Sequence, residues 1–238
     1  MPEKINVKAL IFDFDNTLVD THAAINGAYS EIIKRLSERF NLEGGKLKEE
    51  ILKAQREAID DVPLEKREYD RKKVIEKLNE NLAFGLDEKE VNELAELFYE
   101  FILEKITYPE YTEEILETLK KKGKKLGLLT DSDVRSGLKR QRLNRLGFTR
   151  LFDAVIIAGE TIPQKKNSPI PFIELSRLLG VKPAETVVVG DRADSDIDNA
   201  KEAGMKAILI NKYLEPNQGR YEPDYTIHDI KELLYIIE

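Results

Sequence analysis

Short runs of apolar and β-branched residues recur along the chain, and runs of this kind are typical of buried strands. Five of them predict strands: Val7–Phe12, Lys125–Leu129, Phe152–Ala158, Thr186–Val189 and Lys206–Ile210. Amphipathic stretches, most followed by a glycine that favours helix termination, predict helices. These stretches are Thr112–Lys122, Val134–Leu146, Ile170–Leu179, Asp194–Ala203 and the C-terminal residues 227–238. Strands alternating with helices indicate an α/β fold, a parallel sheet with helices on both faces.

Residues 20–106 have a different pattern, because their apolar residues recur at helical spacing and form no convincing strand. Four helices are predicted here: Ala23–Phe40, Lys46–Ile59, Leu64–Leu82 and Glu88–Lys105, with breaks at residues 43–45, near Pro63 and at residues 84–87. The short loops favour antiparallel packing. We therefore expect a Rossmann-like core made of residues 1–19 and 107–238, with a small all-helical cap domain, residues 20–106.

Polar residues follow the predicted strands, and in a parallel sheet these positions meet at one edge. Asp13 and Asp15 follow the first strand, where two like charges must be solvated, paired or held by a metal. The residues after the other strands are Thr130 and Asp131, Lys165 and Lys166, and Asp191, Asp194 and Asp196. This combination favours a site for a divalent cation and a phosphate group together. Taken singly, the aspartates are equally typical of turns and helix caps.

Composition narrows the choice of metal and partner. The chain has 238 residues and a net charge of −7, so neither nucleic acid nor an anionic membrane is expected as a partner. It has no cysteine and two histidines, so a metal here has to be a hard cation with oxygen ligands, which favours Mg²⁺. No apolar run approaches the ~18 residues of a membrane span, and the first residues do not resemble a signal segment. We expect a cytoplasmic protein.

Four short motifs, in order and each after a predicted strand, resemble those of the haloacid dehalogenase-like hydrolase superfamily. The first, DFDNT, is Asp13–Thr17, the second is Thr130, and the fourth, GDRADSD, is Gly190–Asp196. The resemblance covers residues 1–19 and 107–238. Each motif alone is short, and the signal comes from finding all four in the right order.

The third motif is a lysine before a helix start that contains proline. It resembles Lys166 in KNSPIPF. Asn167 stands where the family more often has proline, which leaves Lys165 as an alternative.

The resemblance implies phosphoryl transfer with two aspartates in different roles. Asp13 would be the nucleophile that forms an aspartyl-phosphate, and Asp15 would be the acid for the leaving alkoxide and then the base for water. Mg²⁺ would be bound by Asp13, the backbone carbonyl of Asp15 and Asp191. A leaving halide needs no proton, and the dehalogenating branch of the superfamily does not keep the second aspartate. Asp15 therefore favours phosphoryl transfer.

The remaining motif residues imply a phosphate-binding site beside the nucleophile. By resemblance, the Thr130 hydroxyl and the backbone N–H of Asp131 would donate to phosphate oxygens. Lys166 would neutralise charge on the nucleophile and on the phosphate. Asp196 would support the metal site, and Thr17 would support the first motif.

The function predicted from these residues is a Mg²⁺-dependent phosphatase that acts on a small phosphorylated metabolite. A phosphomutase would use the same residues and is the nearest alternative. A 2-haloacid dehalogenase, a phospho-acceptor signalling domain and a non-catalytic phosphate-binding protein are less favoured. The sequence leaves open whether the protein is a monomer or a homodimer, and which cap residues select the substrate; arginines considered for that role are Arg56, Arg67 and Arg71.

Overall fold

The apolar runs form one sheet of six parallel strands, in a computed structural model that describes residues 4–60 and 70–238, except for the side chains of residues 59 and 60. The strands are β1 (Ala9–Phe12), β2 (Lys125–Asp131), β3 (Ala154–Ala158), β4 (Thr186–Gly190), β5 (Lys206–Ile210) and β6 (Tyr225–Ile227). Their order in the sheet is β3-β2-β1-β4-β5-β6, and every neighbouring pair is parallel. The predicted Rossmann-like α/β fold is confirmed.

Helices connect the strands and also fill the long segment after β1. Within the described residues they are α1 (Thr21–Phe40), α2 (Gly44–Asp60), α3 (Arg71–Leu82), α4 (Glu88–Lys105), α5 (Thr112–Lys121), α6 (Leu138–Asn144), α7 (Ile170–Leu178), α8 (Asp198–Glu202) and α9 (Leu233–Ile236). Gly123, Gly180 and Gly204 follow α5, α7 and α8 with φ of +80°, +72° and +76°. Many helices end with a glycine in the left-handed conformation directly after the last turn. None of these helices is long and apolar enough to cross a membrane.

Some strand bounds differ from the prediction, because the ends of a strand are set by pairing with neighbouring strands. β1 and β3 each begin two residues later than predicted, whereas β2 continues to Asp131, so that Thr130 and Asp131 lie within the end of the strand. The sequence analysis missed β6, a three-residue edge strand with one buried residue, Ile227. Such a strand is set by pairing with β5 rather than by its own apolar pattern.

Two predicted helices have different starts. α6 begins at Leu138 rather than at Val134, because Gly137 has a φ of +75°, which a helix does not contain. The predicted helix Asp194–Ala203 is a π-helical turn, Ala193–Ile197, followed by α8. π-Helical turns of this kind are frequent at functional sites.

The C-terminal residues form less helix than predicted. A short 3₁₀ turn, Ile230–Glu232, and α9 replace the helix expected over residues 227–238. The chain then leaves helical geometry, and Ile237 pairs with Ile5 in an isolated parallel bridge.

The described residues divide into two compact units, one made of Ala23–Ile106 and the other of the remainder. The helical unit has its own apolar core, in which the rings of Tyr29 and Phe98 pack at a tilt with centroids 4.9 Å apart. Several bounds of these helices differ from the prediction. α1 begins two residues early, at Thr21, and α2 begins at Gly44, within the predicted break at residues 43–45, and ends one residue late, at Asp60. Asp70 caps α3, which begins at Arg71. The predicted break near Pro63, the first part of the helix predicted from Leu64, and Arg67 lie outside the described residues.

The chain leaves and re-enters the sheet unit at neighbouring positions. The Asp20 N–H, at the end of the segment after β1, donates to the carbonyl of Thr107 at 3.1 Å. One backbone hydrogen bond therefore joins the two crossing points.

Candidate active site

The sheet register brings Asp13 to the carboxyl edge at the centre of the sheet. Phe12, the last residue of β1, pairs with Leu128 in β2 and with Val189 in β4. The Asp13 N–H then donates to the Val189 carbonyl at 2.9 Å. Asp13 therefore lies between the end of β2, which carries Thr130, and the turn after β4.

Three buried carboxylates meet at this edge. Oxygen atoms of Asp13, Asp191 and Asp196 lie within 4.8 Å of one another, and Asp196 has no exposed surface. Gly190 makes this approach possible, because a Cβ atom there would lie 2.4 Å from the carboxylate carbon of Asp196. The backbone N–H of Arg192 donates to Asp196 Oδ2 at 3.1 Å and fixes its orientation. We refer to Asp13, Asp191 and Asp196 as the acidic cluster.

Lys166 is the cation of this cluster. Its Nζ contacts Asp13 Oδ1 and lies 2.6 Å from Asp196 Oδ1. Its backbone is held on both sides: its N–H donates to Asp131 Oδ1 at 2.9 Å, and Asn199 Nδ2 donates to its carbonyl at 2.8 Å. The other lysine considered from sequence, Lys165, runs beside Gly159 instead.

Burial makes the acidic cluster difficult to ionise. Burial raises the pKa of Asp13 to about 7; the carboxylates of Asp196 and Asp15 add to the rise, and Lys166 opposes it. Burial also raises the pKa of Asp191 to about 8, with Asp13 and Asp196 adding to it. For Lys166 burial disfavours the charged form, but the attraction of the surrounding carboxylates is larger and raises its pKa. The cluster thus has more negative charge than its own cation can neutralise.

The residues fit a divalent cation. When ionised, the three carboxylates carry three negative charges, and Lys166 balances one of them. A doubly charged cation would balance the other two. The ligand atoms in reach are carboxylate oxygens, which suits a hard ion such as Mg²⁺.

Asp15 points its carboxylate to a different set of partners. Oδ1 contacts Arg142 Nη2 and accepts from the hydroxyl of Thr21 at 2.6 Å, and Oδ2 contacts Lys139 Nζ. Burial opposes ionisation, but the two cations outweigh it and hold the pKa of Asp15 well below its usual range. This carboxylate is therefore ionised and paired, outside the acidic cluster.

The other predicted residues lie close to Asp13. The Thr17 hydroxyl donates to Asp13 Oδ2 at 3.2 Å. Thr130 is buried, and its hydroxyl lies 3.4 Å from the carbonyl of Asp131, a long contact that leaves the hydroxyl poorly satisfied. The Asp131 carboxylate accepts from the backbone N–H of Lys166. The structure thus brings every predicted site residue to this sheet edge, with the Asp15 side chain turned aside.

Sequence reasoning missed Lys139 and Arg142, each with a side chain 3% exposed. Both lie on α6 along the stripe that also buries Leu138 and Leu143. Charged residues on an otherwise apolar helix stripe were the available signal. The predicted start of this helix was four residues too early, but this error did not hide the signal. The spacing between the charged and the apolar residues of the stripe is the same in both helices.

The chain belongs to the haloacid dehalogenase-like hydrolase family, whose model matches residues 7–204. The resemblance seen in the four motifs is confirmed.

Relatives of the chain within this family carry named activities. A glyceraldehyde 3-phosphate phosphatase from Methanopyrus kandleri is 31% identical, covering 97% of both chains. Human N-acylneuraminate-9-phosphatase is 29% identical over 98% of this chain and 94% of its own. Among solved structures, a 2-haloacid dehalogenase from Pseudomonas syringae is 28% identical with a TM-score of 0.64, covering 97% of both chains.

Proposed function

We propose that this chain is a Mg²⁺-dependent phosphatase that hydrolyses a small phosphorylated metabolite through an aspartyl-phosphate intermediate. The observation that carries the proposal is Asp13, placed at the end of β1 against Lys166 and two further buried carboxylates. The names of the relatives from Homo sapiens and Methanopyrus kandleri, both phosphatases, support a phosphoric monoester hydrolase. Residues 20–106 are proposed as the cap domain that selects the substrate.

The first half-reaction transfers the phosphoryl group to the protein. A carboxylate oxygen of Asp13 bonds to phosphorus while the bond from phosphorus to the ester oxygen breaks. Asp15 is ionised while it contacts Lys139 and Arg142, so it first has to leave them and take up a proton from solvent. It then gives that proton to the departing oxygen, which leaves as an alcohol. Lys166 and the Thr130 hydroxyl stabilise the charge on the transferred oxygens.

The second half-reaction returns Asp13 to its initial state. Asp15, now a carboxylate, takes a proton from water, and the water oxygen bonds to phosphorus as the bond to Asp13 breaks. Inorganic phosphate leaves. Asp15 has to release at least one of its present partners to perform either step.

A cation would be held by Asp13, Asp191 and the backbone carbonyl of Asp15, with Asp196 in support. When bound, it supplies positive charge that keeps Asp13 ionised beside an anionic substrate. The raised pKa values of Asp13 and Asp191 support this role, because without added positive charge both carboxylates hold their protons more tightly.

Asp15 separates this proposal from dehalogenation, the activity in the name of one solved relative. A halide leaves without a proton, so a dehalogenase has no use for an acid at this position. A phosphate ester has a poor alkoxide leaving group and needs one.

The test measures phosphate release from p-nitrophenyl phosphate. The wild-type protein is assayed with Mg²⁺ and with EDTA, and the Asp13→Asn variant is assayed with Mg²⁺. Activity that is lost both with EDTA and with Asp13→Asn, while the variant keeps its circular dichroism spectrum and Tm, would support the proposal. Turnover by Asp13→Asn at the wild-type rate would reject the nucleophile. Formation of an isomer from a sugar phosphate, without free phosphate, would indicate a phosphomutase instead.

A further inference from the structure

Two buried cations and two half-buried carboxylates form a charged network beside the nucleophile. Lys139 and Arg142, each 3% exposed, both contact the Asp15 carboxylate. On their other side is Asp133, whose Oδ1 lies 3.1 Å from Lys139 Nζ and 3.0 Å from Arg142 Nη1. Two cations and two carboxylates are thus in balance while Asp15 remains in place. We call Lys139 and Arg142 the cation pair.

The cation pair is placed by α6 and by the first motif. The two residues are three apart on α6, so their side chains leave the same face. Both side chains lie over the ring of Phe14, with Lys139 Nζ at 5.5 Å and the Arg142 guanidinium carbon at 5.3 Å from the ring centroid. Arg142 Nε is buried and has no hydrogen-bond partner. An unsatisfied donor in a buried arginine is costly, so this guanidinium has unused capacity for an anion.

The balance of charge changes if Asp15 acts as the proposed function requires. To reach the ester oxygen, its carboxylate has to leave the cation pair at least in part. The two cations then face only Asp133, and the network carries one uncompensated positive charge. An isolated buried charge is strongly unfavourable, so a second anion is needed in the place that Asp15 vacates.

We propose that the cation pair is a binding site for a carboxylate on the leaving-group half of the substrate. This inference rests on the proposed phosphatase function and names its substrate class: phosphate monoesters of short hydroxy acids. A carboxylate fits because the group it replaces is itself a single carboxylate, with one negative charge. Asp15 is two residues from Asp13, so the acid group has to lie within a few bonds of the phosphorylated oxygen.

The test compares two phosphate esters that differ only in this group. 3-Phosphoglycerate has a carboxylate where glycerol 3-phosphate has a hydroxymethyl group. For the wild-type protein with Mg²⁺, we expect kcat/KM to be at least about tenfold higher for 3-phosphoglycerate, mainly through a lower KM. That ratio corresponds to about 1.4 kcal/mol. Equal kcat/KM values for the two esters would overturn the proposal, and this measurement needs no variant.

Variants assign the preference to the cation pair. Arg142→Gln should reduce the kcat/KM ratio to near one, and Arg142→Lys should restore part of it. Arg140→Gln is the matched control, because Arg140 is on the same helix, is 56% exposed and pairs with Glu160 on the surface. A carboxylate preference that survives Arg142→Gln would place recognition elsewhere and overturn the assignment.

The outcomes distinguish this inference from the function on which it rests. If p-nitrophenyl phosphate and both glycerol-based esters are all inert, the phosphatase proposal fails and the inference fails with it. If all are hydrolysed in an Asp13-dependent manner but without a carboxylate preference, only the inference fails. A buried ion network with a purely structural role would lower Tm in Arg142→Gln and leave the ratio unchanged.

Discussion

Gly190 controls the acidic cluster through the side chain it lacks. A Cβ atom at this position would lie 2.4 Å from the Asp196 carboxylate carbon, so Gly190→Ala has to displace Asp196. We expect Mg²⁺ affinity, measured by calorimetry, to fall about 10–100-fold, as for other groups that orient metal ligands. Gly45→Ala is the control: it lies in the first turn of α2 with no atom within 4 Å of the added Cβ, and should raise the free energy of unfolding by at most ~1 kcal/mol. Unchanged Mg²⁺ affinity in Gly190→Ala would show that the cluster tolerates the displacement.

Lys166 and Lys165 are neighbours with different surroundings. Because Lys166 Nζ contacts both Asp13 and Asp196, its loss leaves those carboxylates without their cation. We expect Lys166→Met to lower kcat ~10²–10³-fold, the usual effect of removing one charge-stabilising donor. Lys165→Met should stay within about twofold of the wild type. Steady-state kinetics with p-nitrophenyl phosphate would decide, and the reverse order would transfer the role to Lys165.

At the residue scale, the sequence identifies the site residues that come directly at the end of a strand. Asp13, Thr130 and Asp191 follow apolar runs, and strand register alone brings them together. The partners of Asp15 could not be predicted in the same way. Lys139 and Arg142 reach it from α6, more than 120 residues away in the chain, and their contact depends on how that helix packs.

The segment after β5 is an element that holds the turn carrying Asp196. Asn217 Oδ1 accepts from the backbone N–H of Ala193 at 2.8 Å, at the first residue of the π-helical turn. Gly219 packs on the same residue, where a Cβ would lie 2.8 Å from the Ala193 carbonyl oxygen. Further along, the backbone N–H of Arg220 donates to Asp198 Oδ1 at 2.8 Å. This segment therefore positions the fourth motif from outside it.

Loss of the Asn217 acceptor should loosen that turn. We expect Asn217→Ala to raise the Mg²⁺ concentration for half-maximal activity about tenfold, with kcat nearly unchanged at saturating Mg²⁺. Calorimetric titration of Mg²⁺ gives the same comparison without turnover. Glu215→Ala, an exposed change in the same segment, is the control. An equal shift in both variants would mean that the segment responds to any substitution.

At the scale of elements, prediction succeeded where a pattern is local and failed where it depends on contacts. α4 has the predicted bounds because its start is fixed by a capping box between Asp87 and Glu90. β6 was missed because pairing with β5 defines it. The π-helical turn was predicted as ordinary helix, because the residue types of Ala193–Ile197 do not distinguish the two kinds of helix.

For the whole molecule, the acidic cluster links stability to pH and to metal. An unfolded aspartate has a pKa near ~3.9, whereas burial raises the pKa of Asp13 to about 7 and that of Asp191 to about 8. Between these values the folded protein binds more protons than the unfolded chain. With EDTA present, these two groups therefore make the free energy of unfolding decrease as pH rises from about 4 to about 8.

Mg²⁺ should reverse this loss. At 100 times its Kd a ligand stabilises the folded state by about 2.7 kcal/mol, which in a chain of this size raises Tm by roughly 5–10 °C. The rise should be larger at pH 8 than at pH 6, because less proton displacement accompanies binding. Calorimetric scans at both pH values measure it, and Asp191→Asn should flatten the pH dependence. A Tm that does not respond to Mg²⁺ at pH 8 would count against a cation site in the cluster.

The hydrogen bond between Asp20 and Thr107 also bears on how such a protein changes over evolutionary time. The two ends of the inserted segment are held together by this hydrogen bond. For the sheet unit, the insertion is therefore a closed loop whose length can change. Lengthening such a loop is inexpensive, since each doubling costs only ~0.6 kcal/mol of closure entropy. One helical module could therefore be exchanged for another at this point without disturbing β1 or β2. If the proposed function holds, such an exchange would change substrate choice and leave the residues of phosphoryl transfer in place.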